Sequence, residues 1–213
     1  MKPSALNDAI ARGADALSIS LAEEAVSQLT TLVLELARWG ERINLTAVRE
    51  PERAVGTHIM DSLAVSPFLQ GEAIADIGTG AGFPGLPLAM ANPQRRFVLL
   101  DANGKKLSFV RHVVGQLRLT NVEVVQARAE DYAPGERFDT VLARALASIA
   151  DLTMLGGHLV GEDGVLLALK GRRSGEELQH VPNGWQYRVT QLAVPGLAGH
   201  ARHVVALTRR GES

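Results

Sequence analysis

The feature that most constrains this chain is the segment Asp76-Ile77-Gly78-Thr79-Gly80-Ala81-Gly82-Phe83-Pro84-Gly85, which begins inside the short apolar run 73–77. Glycine at positions 78, 80, 82 and 85 lets the backbone turn sharply and approach a ligand where a Cβ would collide. A structural turn rarely needs so many glycines, so the segment reads as a ligand cradle at the carboxyl end of a strand. A helix is expected to start near Pro84, which would aim its N-terminal amides and positive dipole end at the same place.

The cradle opens a regular alternation. Runs 73–77, 96–101, 122–125, 140–143 and 165–169 are short and apolar, with helical stretches at 86–91, 105–117 and 148–159 between them. Continuous apolar strands alternating with helices predict a parallel sheet covered on both faces, an α/β fold. After Gly171 a short helix near 176–181 precedes strand-like runs 185–194 and 202–208, separated by Pro195-Gly196 and Gly199. That pair predicts an antiparallel hairpin closing a mostly parallel, seven-stranded sheet.

Residues 1–70 read instead as a helical annex, set ahead of a unit spanning 71–213. Leu21, Ala25, Leu29, Leu32, Leu36 and Trp39 recur at spacings of three and four, one stripe of a helix. Ser20 is the expected N-cap, with Glu23 completing a capping box, and Gly40 is the expected stop. A second helix is predicted from Pro51 to about Val65, ended by Pro67. Neither helix can bury its stripe alone, so both are expected to pack on the sheet.

Composition narrows the chemistry. The absence of cysteine excludes disulfides, thiol nucleophiles and zinc sites with cysteine ligands. Runs such as 97–100 and 165–169 are far too short to span a bilayer, and Met1-Lys2-Pro3-Ser4 leads into no secretory h-region. A soluble, cytoplasmic protein is expected, monomeric by default because no long apolar surface stripe is left over. A metal is not expected, since His58 and Asp61 are only two ligands. The formal net charge is -1, but residues 170–213 carry net +4, and five basic residues face one Glu between Gly104 and Arg128. These segments predict either an anion-binding face or ordinary solvated faces; charge alone does not choose.

Gly80, Gly82 and Gly85 formally satisfy the dinucleotide pattern G-x-G-x-x-G. Asp76, however, ends the first strand, where a carboxylate repels a pyrophosphate and suits a cation. This favours S-adenosylmethionine, with its ammonium and sulfonium, over NAD. Asp101 ends the second strand and is placed to accept ribose hydroxyls; its rival role is as a cap for the next helix. Ala129-Glu130-Asp131 follows the third strand, where it would bracket an adenine, and Arg144 follows the fourth, at the rim of the expected crevice.

Together with Trp39, Ile43-Asn44-Leu45-Thr46-Ala47-Val48-Arg49, His58-Ile59-Met60-Asp61-Ser62, Arg144-Ala145 and Leu169-Lys170-Gly171, these motifs show a resemblance. From Leu36 to Arg209 the chain resembles the bacterial 16S ribosomal RNA guanine-N7 methyltransferases of the RsmG type, also called GidB. Asn44-Leu45-Thr46 and His58-x-x-Asp61-Ser62 ahead of the glycine loop are the specific part. The resemblance implies a class I, Rossmann-like methyltransferase fold, S-adenosyl-L-methionine as cofactor, and methyl transfer to 16S ribosomal RNA in the small subunit.

It further implies cofactor contacts at Gly78, Phe83, Ala129, Glu130 and Arg144, with Asp101 matching the family's acidic residue and Gly80 and Gly82 keeping the loop open. Asn44, Asp61 and Arg144 are expected to line the crevice and orient the guanine edge or a neighbouring phosphate. Their rival roles are turn capping for Asn44, a link to His58 for Asp61 and a surface ion pair for Arg144. His58 is expected to be mainly structural. Lys105, Lys106, Arg111, Lys170, Arg172, Arg173 and Arg202 are candidates for RNA phosphate contacts. Residues 1–20 lie outside the resemblance and are free to be disordered. Three other readings stay open: a methyltransferase of small molecules or proteins, an NAD-dependent oxidoreductase, and a cofactor sensor without turnover.

Overall fold

The structure, a computed structural model, describes residues 2–48, 50–144, 147–171, 175–197, 199 and 201–210, the side chains of 175 and 176 excepted. Arg49, Ala145, Arg172 and Arg173, singled out in the sequence, lie outside the described residues.

Seven strands form one sheet: β1 (Ala73–Ile77), β2 (Arg96–Asp101), β3 (Val122–Gln126), β4 (Phe138–Arg144), β5 (Val160–Lys170), β6 (Trp185–Leu192) and β7 (Arg202–Arg209), in the order β3-β2-β1-β4-β5-β7-β6. The first five pair in parallel; β7 pairs antiparallel with β5 and with β6. Side-chain alternation divides each central strand between two cores. Ile74, Phe97, Leu99, Leu142 and Leu167 face one, and Ala75, Val98, Leu100, Val141 and Leu166 face the other. Burial on both faces is why these strands read as unbroken apolar runs.

The helices are α1 (Pro3–Ala16), α2 (Glu23–Gly40), α3 (Pro51–Ala54), α4 (Asp61–Leu63), α5 (Gly85–Ala91), α6 (Gly104–Leu117), α7 (Ile149–Gly156) and α8 (Gly175–Gln179). Among the described residues none is long and apolar enough to cross a membrane. Leu29, Leu32 and Leu36 of α2 join the same core as Leu86, Phe97 and Leu99, so the annex covers one face of the sheet.

Three expectations are corrected here. The segment ahead of residue 20, expected to be free to be disordered, carries a helix: α1 starts at Pro3 and buries Leu6 and Ile10 completely, one turn apart on one face. The Ser20–Glu23 capping box is not formed. α2 begins at Glu23 behind Ala22, without a side-chain cap, and Glu23 and Glu24 in its first turn complement the dipole instead. The helix from Pro51 is not one α-helix: a π-turn, Val55–Met60, separates α3 from α4. Such turns concentrate at functional sites, and this one carries Thr57 and His58 to the crevice described next.

Candidate active site

The sheet order reverses between β1 and β4, and a crevice of about 540 Å³ opens at the carboxyl ends of β1, β2, β4 and β5. The glycine loop forms one wall and the annex the other. Gly78, Gly80 and Gly82 have φ values of 66°, 60° and 88°, a left-handed region that other residues adopt at a cost.

Asp76 sits beneath this wall with no exposed surface. Its Oδ2 accepts from the Thr79 hydroxyl at 2.6 Å and the Gly85 amide at 2.8 Å. Burial pushes its pKa up to about 6, against the pull of Thr79, Gly85 and the Arg144 charge. Asp76 therefore does not face the crevice as a counter-charge for a cationic ligand; it shapes the loop from below. The N-terminal amides expected to point at the ligand are not free at residues 84–87. Pro84 and Pro87 have no N–H, Gly85 donates to Asp76, and Leu86 donates to the Gly82 carbonyl. Gly82 and Gly85 serve packing: a Cβ on the first would strike Leu86, and one on the second would strike Leu99 and Asp76.

Asp101 does line the crevice. Its Oδ2 accepts from the Gly80 amide at 2.8 Å and its Oδ1 from the Asn103 amide at 2.7 Å. Each carboxylate oxygen keeps a lone pair for a ligand hydroxyl. The cap of α6 is Asn103, which accepts from the Lys105 and Lys106 amides, so Asp101 is not the helix cap. Ala129 and Glu130 are not part of the lining: Ala129 is buried in a short turn, and exposed Glu130 lies 3.6 Å from Arg128.

On the annex side Asp61 is 7 % exposed and holds two arginines. Arg202 Nε of β7 donates at 2.7 Å and Arg144 Nη1 of β4 at 3.4 Å. Burial depresses the pKa of Arg144, while the Asp61 carboxylate opposes that shift. Phe83 lies between annex and sheet, stacked on the His58 ring at 4.7 Å and 22°, with the Arg144 guanidinium 5.5 Å from its centroid. His58 Nε2 is 2.9 Å from Thr46 Oγ1, which also accepts from the Val48 amide. Burial first, and the Arg144 charge second, lower the His58 pKa to about 4, so its ring is neutral.

His58 does not bond Asp61; each ties the annex to a different element. Asn44 is exposed and outside the lining, whereas its neighbours Leu45 and Thr46 are part of it. Lys106, Lys170 and Arg202 line the crevice; Lys105 and Arg111 are exposed away from it. Lys170 Nζ is held by the Ala147 carbonyl at 2.6 Å and by Glu177 at 3.0 Å. Sequence reasoning missed Thr57 and His203 as lining residues, and neither sits in a motif that would single it out. Among the described residues no cluster of three or more His, Asp or Glu could hold a metal.

A volume of about 540 Å³ is within the range of cofactor pockets, and an adenosyl ligand fits the residues present. Left-handed Gly78 and Gly80 form a cradle in the lining, and Asp101 offers lone pairs for ribose hydroxyls. Fold and crevice together define the class, a class I S-adenosylmethionine-dependent methyltransferase. Solved structures share the fold: a SAM-dependent methyltransferase from Aquifex aeolicus (TM-score 0.55, 19% identity, 74% of this chain and 93% of that one) and a ribosomal protein L11 methylase from Lactobacillus delbrueckii subsp. bulgaricus (TM-score 0.55, 16% identity, 71% and 77%). Such likeness carries the fold and not the substrate.

The family model GidB, rRNA small subunit methyltransferase G, matches residues 25–205. The chain is 46% identical over 191 residues to the ribosomal RNA small subunit methyltransferase G of Actinobacillus succinogenes, covering 89% of this chain and 90% of that one. It is 47% identical over 171 residues to the protein of the same name from Legionella pneumophila, covering 80% and 81%. The chain belongs to the GidB family of rRNA small subunit methyltransferase G.

Proposed function

We propose that this enzyme transfers a methyl group from S-adenosylmethionine to N7 of one guanine in the 16S ribosomal RNA of the small subunit, acting as a cytoplasmic monomer. The observation that carries this reading is the crevice itself: a glycine-loop half suited to an adenosyl ligand meets a half built on Arg144, Arg202 and Lys170, in a chain of this family. Four cations against two carboxylates, Asp61 and Asp101, give that lining a positive balance suited to RNA phosphate.

When bound, the cofactor supplies an electrophilic methyl group on a sulfonium. Gly78 and Gly80 would hold its amino-acid end by close backbone approach, and Phe83 would pack beside the reacting centre. Asp101 would accept from the ribose. Asp101 pairs with Gln126, three residues before Ala129, so an adenine reaching past Asp101 would approach the Ala129–Glu130 turn, which lies outside the crevice lining. Guanine N7 has a free lone pair and no proton, so the reaction requires no general base. The site agrees with that demand. Asp61 is engaged by two arginines, Asp101 by two amides and neutral His58 by Thr46. The chain's work is positioning and electrostatics. A neutral His58 adds no charge opposing the cation that forms on the purine. Arg144 and Asp61 would orient the acceptor; exposed Asn44 is left to a contact with RNA outside the crevice.

The test is transfer of labelled methyl from S-adenosylmethionine to unmodified small subunits across a salt series. Incorporation that falls steeply with salt supports the RNA reading. Incorporation into protein or small molecules only would reject it.

A further inference from the structure

Past the half of the crevice held by Asp61, a second compartment of about 400 Å³ lies between the π-turn and the β6–β7 connection. Thr57 and Arg202 line both spaces and form the partition between them. Arg202 is fixed at that partition by Nε to Asp61 at 2.7 Å and Nη1 to the Ala201 carbonyl at 3.2 Å; among the described residues its Nη2 has no hydrogen-bond partner. Gly56 and Gly196, both in the lining, meet backbone to backbone: a Cβ on Gly56 would lie 3.2 Å from the Gly196 oxygen, and one on Gly196 the same distance from Gly56 Cα. This contact seats the β6–β7 connection directly on the π-turn, so the walls are preformed.

The lining chemistry is mixed in a way that suits one nucleotide. Val48 and Leu197 offer apolar surface for a base face, Arg53 (3.6 Å from Glu50) and Arg202 (bound to Asp61) present guanidinium groups to a phosphate, Thr57 offers a hydroxyl, and Glu52 adds one carboxylate. Unstacked bases are bound by apolar or guanidinium surfaces and anchored through their phosphates. A cofactor seated on Gly78, Gly80 and Asp101 leaves the acceptor to approach from the opposite side, and the partition is on that side. In-line transfer also requires N7 to stay free. A guanidinium fixed by Asp61 serves by packing on the base or binding O6 or phosphate, and not by donating to N7.

We propose that this compartment receives the unstacked acceptor nucleotide of the RNA, with Arg202 as the side chain that holds it at the partition. The proposal rests on the rRNA reading above and adds the place where the nucleotide enters. Two substitutions outside the cofactor wall test it. Leu197→Trp fills the compartment, and Arg53→Glu reverses a charge on a side chain that is 71% exposed, exchanging its surface pair with Glu50 for a solvent-screened repulsion. Methyl transfer to unmodified small subunits, cofactor affinity and thermal midpoint are measured on the same preparations. Both variants are expected to raise KM for the subunit by about tenfold or more, with cofactor Kd within about twofold and the midpoint within about 3 °C of wild type. If Leu197→Trp does not fold, Arg53→Glu decides alone. A wild-type KM in the folded variants overturns the compartment and leaves the rRNA reading standing. A wild-type enzyme that binds cofactor but methylates no RNA overturns the reading and the compartment with it.

Discussion

Asp61→Asn keeps the shape of the side chain and removes the one charge that Arg144 and Arg202 share. Asp61 is 7 % exposed, and the two arginine side chains are 23% and 24% exposed. Removing one partner from a fully buried pair costs about 3–5 kcal/mol. Solvent reaches part of each guanidinium here, and the asparagine oxygen still accepts from Arg202, so the expected loss is about 1–3 kcal/mol. For a chain of this size that lowers the thermal midpoint by about 3–10 °C. The freed arginines also repel each other, so the crevice wall loosens on the acceptor side. KM for the small subunit should then rise by about tenfold, while cofactor affinity, which depends on Asp101 and the glycine loop, changes little. Thermal unfolding, cofactor titration and methyl-transfer kinetics read these separately. A cycle with Arg202→Met should show coupling of about 1 kcal/mol or more. An Asp61→Asn enzyme with unchanged midpoint and unchanged KM would refute the clamp.

Protonation gives two opposed predictions. The folded pKa of His58, about 4, lies below its ordinary 6.5, so its contribution to stability is whole above 6.5 and is lost as the pH falls towards 4; the span is worth about 3 kcal/mol. Asp76, raised from 3.8 to about 6, contributes stability that is whole below 3.8 and lost as the pH rises through 6, again about 3 kcal/mol. The two mask each other in the wild type, so urea unfolding of Asp76→Asn across this window should show the variant gaining on the wild type as pH rises. Gly80→Ala has open space but a φ of 60°, and should cost about 1–2 kcal/mol in unfolding assays; Gly82→Ala adds a clash with Leu86, should cost more, and should weaken cofactor binding measured by calorimetry. Leu6→Ala empties a fully buried position in α1 and should cost about 2–5 kcal/mol in urea unfolding.

The sheet was legible because its signals are local. The spans of β1 and β2 follow from apolar runs closed by glycine or flanked by polar residues, and the hairpin β6–β7 from Pro195-Gly196 and Gly199. Helix α1 also has a local signal, in Pro3 followed by Leu6, Ile10 and Ala14 at helical spacing, although it lies outside the family resemblance. The cap of α2 is not fixed by local pattern: Ser20 and Glu23 satisfy the capping-box pattern, yet the chain stays non-helical through Ala22. The π-turn has no local sequence signature; it packs on α1, with Met60 against Gly13, and on Gly196 of the β6–β7 connection. Likewise, nothing local joins Asp61 to Arg202, 141 residues away, or Thr46 to His58. The glycine loop forms a wall of the crevice, but two of its glycines answer to Leu86 and Leu99, and Asp76 supports the loop from beneath.

The most direct test locates the methyl group. Small subunits from cells lacking this gene would be incubated with the enzyme and S-adenosylmethionine, and the RNA would then be cleaved at N7-methylguanine with borohydride and aniline and read by primer extension. The account predicts one new stop at one guanine, absent with Gly78→Asp. Cofactor binding without any stop, or a stop that persists in Gly78→Asp, would contradict it.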